Sequence, residues 1–363
     1  MKKIYKKSYL KNLIISKLTN LILYFYKRKF LNKNIVLVKS ADGIGDILVR
    51  SALVKKIMEK YSDNVYFVFQ ERYKEIGKIL GYKNIISFSK KEKYNLFYRI
   101  KKMIYINSLG IKKFINLEFG NDSFVSNIFA DEKIGILDLN KNVEKYNKYY
   151  TRYINISKNN KKILDIIKEL EEGVLEEKLK KEDIYPDLRN KFNIAEKNIV
   201  IAVGSTARDR VCSPLKMAEY IKVLNKKFPN DEILLVGNGN LQLEYAKKLI
   251  ELLPNVKFKN MVNKTSLKEV FDIVAGSKIF VGFESGLYNL CFTLRKKGIG
   301  LFKDTTVPFA HEVPWLKNIG PDEKEEIIFD ENYPDEKINK ISAKKFKKVL
   351  EELINYENKK EKA

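Results

Sequence analysis

Short apolar runs alternate with longer segments of helical periodicity along most of the chain after residue 34. Runs rich in Val, Ile and Phe at 35–38, 65–70 and 198–203 have the length and β-branched content of buried strands. The segments 215–228 and 241–253 repeat apolar residues at helical spacing, with a proline at one end of each. Strands that alternate with helices in this way predict parallel, doubly wound sheets.

The alternation begins a second time at residue 198, after a charged helix predicted over 161–180 and a loop at Pro186. A chain of 363 residues suits two domains. The predicted organisation is a basic N-terminal segment, two Rossmann-like domains facing across a cleft, and a C-terminal helix with a tail. Their limits are set at residues 1–33, 34–190, 191–340 and 341–363.

Several individual elements are also predicted. They are one helix from Gly45 to about Lys60, an aromatic basic helix over 94–107, a helix over 123–130, a loop or helix over 141–152, and a last strand over 299–302.

The N-terminal segment is strongly basic, since residues 1–33 contain ten Lys or Arg and no acidic residue. Leu10, Leu13, Ile14, Leu18, Leu21, Ile22, Tyr24 and Phe25 recur at helical spacing. No apolar stretch reaches the ~18 residues of a spanning helix, and no cleavage site of small residues follows. One interpretation is a basic amphipathic helix in peripheral contact with an anionic membrane surface. The other is a helix packed on its own domain with a solvated basic face.

The composition limits the function classes. Two cysteines and a single histidine, His311, leave no zinc cluster or disulfide framework and fit a reducing, cytoplasmic compartment. The formal net charge of +24 is compatible with nucleic acid, a membrane or an anionic substrate as partner. A lysine-rich genome would give the same excess, so the total charge assigns no function.

The turn Asp42-Gly43-Ile44-Gly45-Asp46 follows the first strand and opens a helix. In an open α/β sheet the ligand crevice lies at the carboxyl ends of the strands, where this turn would sit. Asp46 would stand at the helix N-terminus, ionised, as a candidate general base. The alternative is that Asp46 only caps the helix, and from this stretch alone the capping role is favoured.

Three loops of the second domain would converge at the carboxyl ends of its strands. Gly204-Ser205-Thr206, followed by Arg208 and Arg210, offers N–H groups, hydroxyls and guanidinium groups that suit a diphosphate. Glu284-Ser285-Gly286 adds a hydroxyl, a helix N-terminus and a carboxylate for sugar hydroxyls. Gly237-Asn238-Gly239 lets a ligand approach the backbone closely. Each loop alone also fits a tight connection, but together they favour a nucleotide site.

Other phosphate sites fit less well. There is no Gly-Lys-Ser/Thr of a P-loop, and Leu48 stands where a dinucleotide fingerprint needs its third glycine. No Asp-X-Asp is present to hold a divalent metal. Arg210, Lys264 and helix N-termini would then neutralise the donor phosphates without a metal.

These motifs resemble those of the ADP-heptose:lipopolysaccharide heptosyltransferases, glycosyltransferase family nine, over most of residues 34–303. The turn at 42–46 is similar to the family's Ser-x-Leu-Gly-Asp. Ser205-Thr206 with Arg210 before Pro214, and Lys264-Thr265-Ser266-Leu267, match two further motifs. The strongest mark is residues 282–290, Gly-Phe-Glu-Ser-Gly-Leu-Tyr-Asn-Leu, against the family's Gly-x-Asp-Ser/Thr-Gly-x-x-His-Leu.

The resemblance implies a GT-B fold and an inverting, metal-independent transfer with Asp46 as base and no cofactor. Glu284, Ser285 and Gly286 would hold the donor, with Ser205, Thr206 and Arg210 at its phosphates and Lys264-Thr265 near the adenine. Glu284 and Asn289 replace the family's Asp and His where the donor sugar is read. Gly43, Gly45, Arg208 and His311 are assigned to the acceptor or cleft, although a surface loop position is the favoured interpretation for His311.

The leading hypothesis is a bacterial glycosyltransferase that moves a heptose or related sugar from a nucleotide-sugar donor. The acceptor would be a lipopolysaccharide core or another lipid-linked or phosphorylated glycan, at the inner face of the cytoplasmic membrane. Another GT-B enzyme, such as a sugar-nucleotide epimerase, is the first alternative. A nucleic-acid-binding protein is the second and rests on charge alone, because no recognition module is found.

Overall fold

The computed structural model describes residues 2–26, 33–41, 43–118, 124–137, 148–155, 163–192, 194–304, 311, 313–321 and 336–360. The chain divides into two compact units, the first formed by Met1–Lys161 and Asp165–Ile184 and the second by Lys162–Leu164 and Tyr185–Ala363. The division after Ile184 lies close to the limit at residue 190 set from the sequence.

The first unit is built on a parallel sheet of order β3-β2-β1-β4-β5-β6. The strands are β1 (Ile35–Lys39), β2 (Val65–Gln70), β3 (Asn84–Phe88), β4 (Ile111–Asn116), β5 (Glu132–Leu137) and β6 (Arg152–Asn155). The helices are α1 (Lys2–Tyr26), α2 (Ile44–Val49), α3 (Ser51–Tyr61), α4 (Lys74–Ile79), α5 (Lys90–Tyr94), α6 (Leu96–Ser108) and α7 (Ile163–Leu175).

The second unit repeats this plan, with a parallel sheet of order β12-β11-β10-β7-β8-β9. Its strands are β7 (Asn198–Ala202), β8 (Ile233–Val236), β9 (Phe258–Asn260), β10 (Ser277–Phe283), β11 (Gly298–Leu301) and β12 (Leu316–Ile319). Its helices are α8 (Pro214–Lys227), α9 (Asn240–Leu252), α10 (Leu267–Ala275), α11 (Gly286–Thr293), α12 (Glu336–Asn339) and α13 (Ala343–Lys360).

Both sheets therefore have the Rossmann strand order, which confirms the predicted doubly wound architecture. The inner strands β1 and β8 are buried along their whole length, because helices cover both faces of a parallel sheet. The strand order reverses between β1 and β4 and between β7 and β10, and a ligand crevice forms at such a reversal. None of the described helices is long and apolar enough to cross a membrane.

Several predicted elements were wrong in detail. The helix expected from Gly45 to Lys60 is interrupted at Arg50, and the helix expected over 94–107 is interrupted at Asn95. The Asn95 side chain accepts hydrogen bonds from the N–H groups of Phe97 and Tyr98, so it starts a new helix. The described part of 123–130 holds only a single 3₁₀ turn, Val125–Asn127.

Three edge strands were also missed, and one of them is β9, Phe258–Asn260. Arg152–Asn155 forms β6 at the end of the segment expected to be a loop or helix, of which 141–147 lies outside the described residues. Leu316–Ile319 forms β12, so 299–302 does not contain the last strand.

Candidate functional site

The reversal point of the second sheet brings two predicted loops together. Ser205 follows β7, and its hydroxyl donates a hydrogen bond of 2.8 Å to the carbonyl oxygen of Glu284, which follows β10. The Arg210 guanidinium lies 3.1 Å from Glu284 Oε1. The loops that carry the hydroxyl, the guanidinium and the carboxylate are thereby fixed to one another.

The charges at this point are mixed and balanced, two cations facing two carboxylates. Burial raises the pKa of Glu284, and the charges of Arg210 and Lys303 act in the opposite direction. Lys303 forms an ion pair with Asp209, beside Arg210. Two cations thus lie where the loops meet, and each already has a carboxylate partner. A bound diphosphate would add negative charge next to these cations.

A cavity of about 420 Å³ opens beside the Ser205 loop. It is lined by Val203, Gly204, Ser205, Arg208, Val211, Pro214, Leu241, Gln242, Glu244, Tyr245 and Lys248. Gln242 covers two glycines of the adjoining loops, since a Cβ on Gly204 would meet its Cγ at 2.4 Å and one on Gly237 would meet its Cβ at 3.2 Å. A Cβ at Gly204 would therefore force the Gln242 side chain of α9 to move.

The loop after β9 lies against the loop after β8. The Gly239 N–H donates to Asn263 Oδ1 at 2.6 Å, and the Asn263 N–H donates to the Gly237 carbonyl at 3.2 Å. Gly239 has a φ of 124°, which a residue with a side chain rarely adopts. These contacts place Lys264, an exposed side chain, and the half-buried Thr265 next to the glycine loop.

Ser285 begins α11, and its hydroxyl accepts a hydrogen bond from the Tyr288 N–H as an N-cap. Gly286 is the first helical residue, and the Asn289 side chain donates to the Ser285 carbonyl at 3.1 Å. Thr206 is exposed in the loop after β7. The predicted donor residues thus lie in the loops after β7, β8, β9 and β10.

His311 is buried, so the favoured expectation of a surface loop histidine was wrong. Its ring stacks on Phe292 at a centroid distance of 3.9 Å, and its Nε2 lies 2.7 Å from Asn289 Oδ1. The only histidine of the chain therefore contacts the residue that replaces the family's motif histidine. Burial lowers the pKa of His311 to about 3, so this imidazole is neutral at physiological pH.

The low pKa of His311 makes stability depend on pH. The unfolded histidine binds a proton near its ordinary pKa of about 6.5, whereas the folded one does so only near 3. We expect the free energy of unfolding to decrease as the pH falls through this window, by up to roughly 1.4 kcal/mol per pH unit. His311→Phe keeps the stacking and should flatten the slope. Urea unfolding at pH 4–7 measures the free energy of unfolding. An equal pH dependence of this free energy in both proteins would contradict the prediction.

Asp46 lies half-exposed in the first turn of α2, whose N-cap residue is Gly43 and not Asp46. Its Oδ1 lies 3.0 Å from the buried Arg50 guanidinium, which also donates to the Asp46 carbonyl at 2.8 Å. Its Oδ2 lies 2.8 Å from where a Cβ on Gly43 would stand, and Gly45 sits in the same turn. Arg50 thus holds one carboxylate oxygen, at the reversal point of the first sheet.

A second cavity, of about 210 Å³, lies near the carboxyl ends of β1, β2 and β3. Five of its lining residues are basic and none is acidic; the basic ones are Lys39, Arg72, Lys90, Lys93 and Arg99. Arg99 is buried, and its Nε and one terminal nitrogen donate to Asn127 Oδ1 at 2.9 and 2.6 Å. This basic pocket was missed in the sequence, because its residues come from four separate segments.

Other contacts could have been found from spacing alone. Arg50 stands four residues after Asp46, which places the two side chains on one face of a helix. Gln242, Tyr245 and Lys248 follow the glycine loop at helical spacing. Among the described residues, no three His, Cys, Asp or Glu side chains are grouped as a metal ion would require.

The fold is that of the GT-B glycosyltransferases. E. coli heptosyltransferase WaaC, solved with ADP-2-deoxy-2-fluoro heptose, matches with a TM-score of 0.65 at 18% identity, over 87% of this chain and 99% of that one. A glycosyl transferase family 9 protein from Veillonella parvula DSM 2008 matches with a TM-score of 0.68 at 13% identity, over 90% of this chain and 98% of that one.

The chain belongs to glycosyltransferase family 9 (heptosyltransferase), whose sequence model matches residues 133–330. Lipopolysaccharide heptosyltransferase 1 of Campylobacter coli is 27% identical over 301 residues, which are 73% of this chain and 82% of that protein. The predicted family, the GT-B fold and the glycosyltransferase class of enzyme are confirmed.

Proposed function

We propose that this glycosyltransferase moves a heptose from an ADP-linked donor to a lipopolysaccharide-core acceptor, with inversion and without a metal ion. The observation that carries the donor site is the junction of Ser205, Arg210 and Glu284 at the reversal point of the second sheet. The names of the relatives support the choice of sugar and nucleotide, since WaaC was solved with an ADP-heptose analogue.

The departing diphosphate would be stabilised by protein cations. Arg210 and Lys303 lie where the β7 and β10 loops meet, and Arg208 lines the adjacent cavity. Lys264 is exposed in the neighbouring loop. Fixed cations aimed at a leaving group lower the barrier in the manner of an oxyanion site. This arrangement supplies the charge that a divalent metal provides in other transferases.

Asp46 would act as general base. The acceptor hydroxyl oxygen attacks the anomeric carbon, the bond from that carbon to the phosphate oxygen breaks, and the hydroxyl proton passes to the Asp46 carboxylate. Attack from the face opposite the diphosphate inverts the anomeric centre. Arg50 would orient this carboxylate by holding Oδ1.

The basic pocket of the first unit would bind an anionic group of the acceptor. Its five cations surround about 210 Å³, and Lys39 and Arg99 among them are buried. A phosphate or carboxylate can form charge-assisted hydrogen bonds with such a set. The aromatic walls Phe88, Tyr94 and Phe124 can contact a sugar ring. This pocket lies in the same unit as Asp46, so acceptor binding and proton removal would be carried by one domain.

A thermal-shift titration with ADP in EDTA tests the donor site. At 100 times the dissociation constant, ADP should stabilise the protein by about 2.7 kcal/mol, which raises the melting temperature. Adding magnesium should change the shift little. A shift that appears only with magnesium would contradict the metal-independent site, and no shift with any nucleotide would contradict the donor site itself.

A further inference from the structure

The N-terminal helix α1 packs on the first unit through small polar residues. Ser16 Oγ lies 2.9 Å from Ser126 Oγ, and the Asn127 side chain donates to the Ser16 carbonyl at 3.0 Å and to Asn20 Oδ1 at 3.2 Å. Thr19 is fully buried on the same side. The helix is therefore attached both by these hydrogen bonds and by the buried side chains of Ile15 and Leu23.

The opposite side of α1 is apolar and exposed. Five large side chains lie there, between 42% and 76% exposed, and we call them the outer face: Ile14, Leu18, Leu21, Tyr24 and Phe25. At 100° per residue these positions fall on one side of the helix, and Lys17 lies among them. Among the described side chains of α1, from residue 13 onward, the face that the second interpretation takes to be basic and solvated is thus largely apolar. A soluble protein rarely leaves such a continuous apolar strip uncovered without a binding role.

The neighbouring helix α6 also exposes aromatic side chains. α6 packs against α1 and exposes Phe97 and Tyr105, with Lys101 also exposed between them. Neither residues 1–33 nor the α6 segment 96–108 contains an acidic residue, whereas the first of these carries ten Lys or Arg. The two helices thus combine exposed apolar and aromatic side chains with basic charge.

We propose that the outer face of α1 docks on the surface of an anionic lipid bilayer. Apolar side chains would enter the headgroup boundary while the basic residues contact anionic headgroups. Tyrosine suits this boundary because its ring is apolar and its hydroxyl polar. α1 is packed along its side on α6, so it would lie in the plane of the interface. The inference does not depend on the donor or acceptor proposed above.

Co-sedimentation of the full chain with lipid vesicles tests this surface. The protein should bind vesicles of phosphatidylcholine and phosphatidylglycerol, and bind vesicles of phosphatidylcholine alone more weakly. Leu21→Ser with Phe25→Ser should lower the partition coefficient on anionic vesicles about tenfold or more. Both residues are exposed, so the melting temperature and the ADP-induced shift should stay unchanged. This readout separates failure of docking from failure of the donor site.

A matched pair in the second unit serves as control. Ile194 and Leu215 are 38% and 46% exposed, and Ile194→Ser with Leu215→Ser should leave vesicle binding unchanged. Equal binding by the Leu21/Phe25 variant and the parent protein would overturn the proposal. A dimer in solution that the Leu21/Phe25 variant converts to monomer, without vesicle binding by the parent, would assign the face to a second copy and also overturn it.

Discussion

Replacing Asp46 with Asn is expected to lower kcat by roughly 10²–10⁴-fold, the usual contribution of a general base. Asparagine has nearly the same shape, and its amide oxygen can still accept the Arg50 hydrogen bond now made to Oδ1 at 3.0 Å. The fold should therefore persist while the proton acceptor is lost. Steady-state kinetics with saturating donor and acceptor measure the effect. The ADP-induced thermal shift should be retained, because the donor loops belong to the other unit.

Asp272→Asn is the control for this experiment. Asp272 also lies on a helix, and its carboxylate is 2.7 Å from Lys268 four residues earlier. Its replacement should leave kcat unchanged. If Asp46→Asn turned over at a rate comparable with the parent enzyme, Asp46 would not be the base, and the Arg50 contact would have only a structural role.

Replacing Arg210 with Ala is expected to lower kcat by roughly 10²–10³-fold, as removal of one transition-state donor does in other enzymes. The reason is that its guanidinium lies at the junction of the β7 and β10 loops, where charge would develop on the leaving diphosphate. The ADP-induced thermal shift should also decrease. Arg210→Lys should recover part of the loss, since it restores the charge but not the fork of donors.

Lys278→Ala separates this effect from a general loss of stability. Arg210 and Lys278 are each 36% exposed and each faces a largely buried carboxylate, Glu284 and Asp231 respectively. Lys278 stands near the start of β10, at the amino-terminal ends of the strands, whereas the donor loops follow their carboxyl ends. Its variant should lose stability similarly but keep its activity. Equal losses of kcat in both variants would remove Arg210 from the donor site.

Much of the fold was predictable because parallel strands leave a strong local signal. Buried strands such as β7 and β8 read as short runs of Ile, Val and Leu between turn residues. The short edge strands gave no comparable signal, since β9 has only three residues and β6 carries an arginine. Helix breaks at Arg50 and Asn95 were missed because apolar periodicity continues across both positions.

The donor loops were predictable because glycines and hydroxyls follow strands in sequence. The burial of His311 was not predictable. Its ring stacks on Phe292, and the Asn318 side chain donates a hydrogen bond of 2.7 Å to its carbonyl oxygen, and neither contact is marked by a local sequence pattern. The basic pocket likewise depends on tertiary contacts, such as Arg99 with Asn127. Contacts between side chains of distant segments cannot be predicted from a single sequence.

The orientation of α1 shows the same limit. Its sequence predicts an amphipathic helix, but two interpretations of its packing remained possible. The hydrogen bonds that Ser16 and Asn20 accept from Asn127 determine which side of the helix packs on the domain. The five apolar residues of the outer face are then left exposed.

The most direct test of the proposed reaction is mass spectrometry of the products formed from ADP-heptose and a heptose-free lipopolysaccharide core in EDTA. The proposed function predicts that the acceptor gains one heptose for each ADP released, and that Asp46→Asn forms far less of both. Conversion of the donor to an epimer with an unchanged acceptor, or transfer that requires added magnesium, would contradict it.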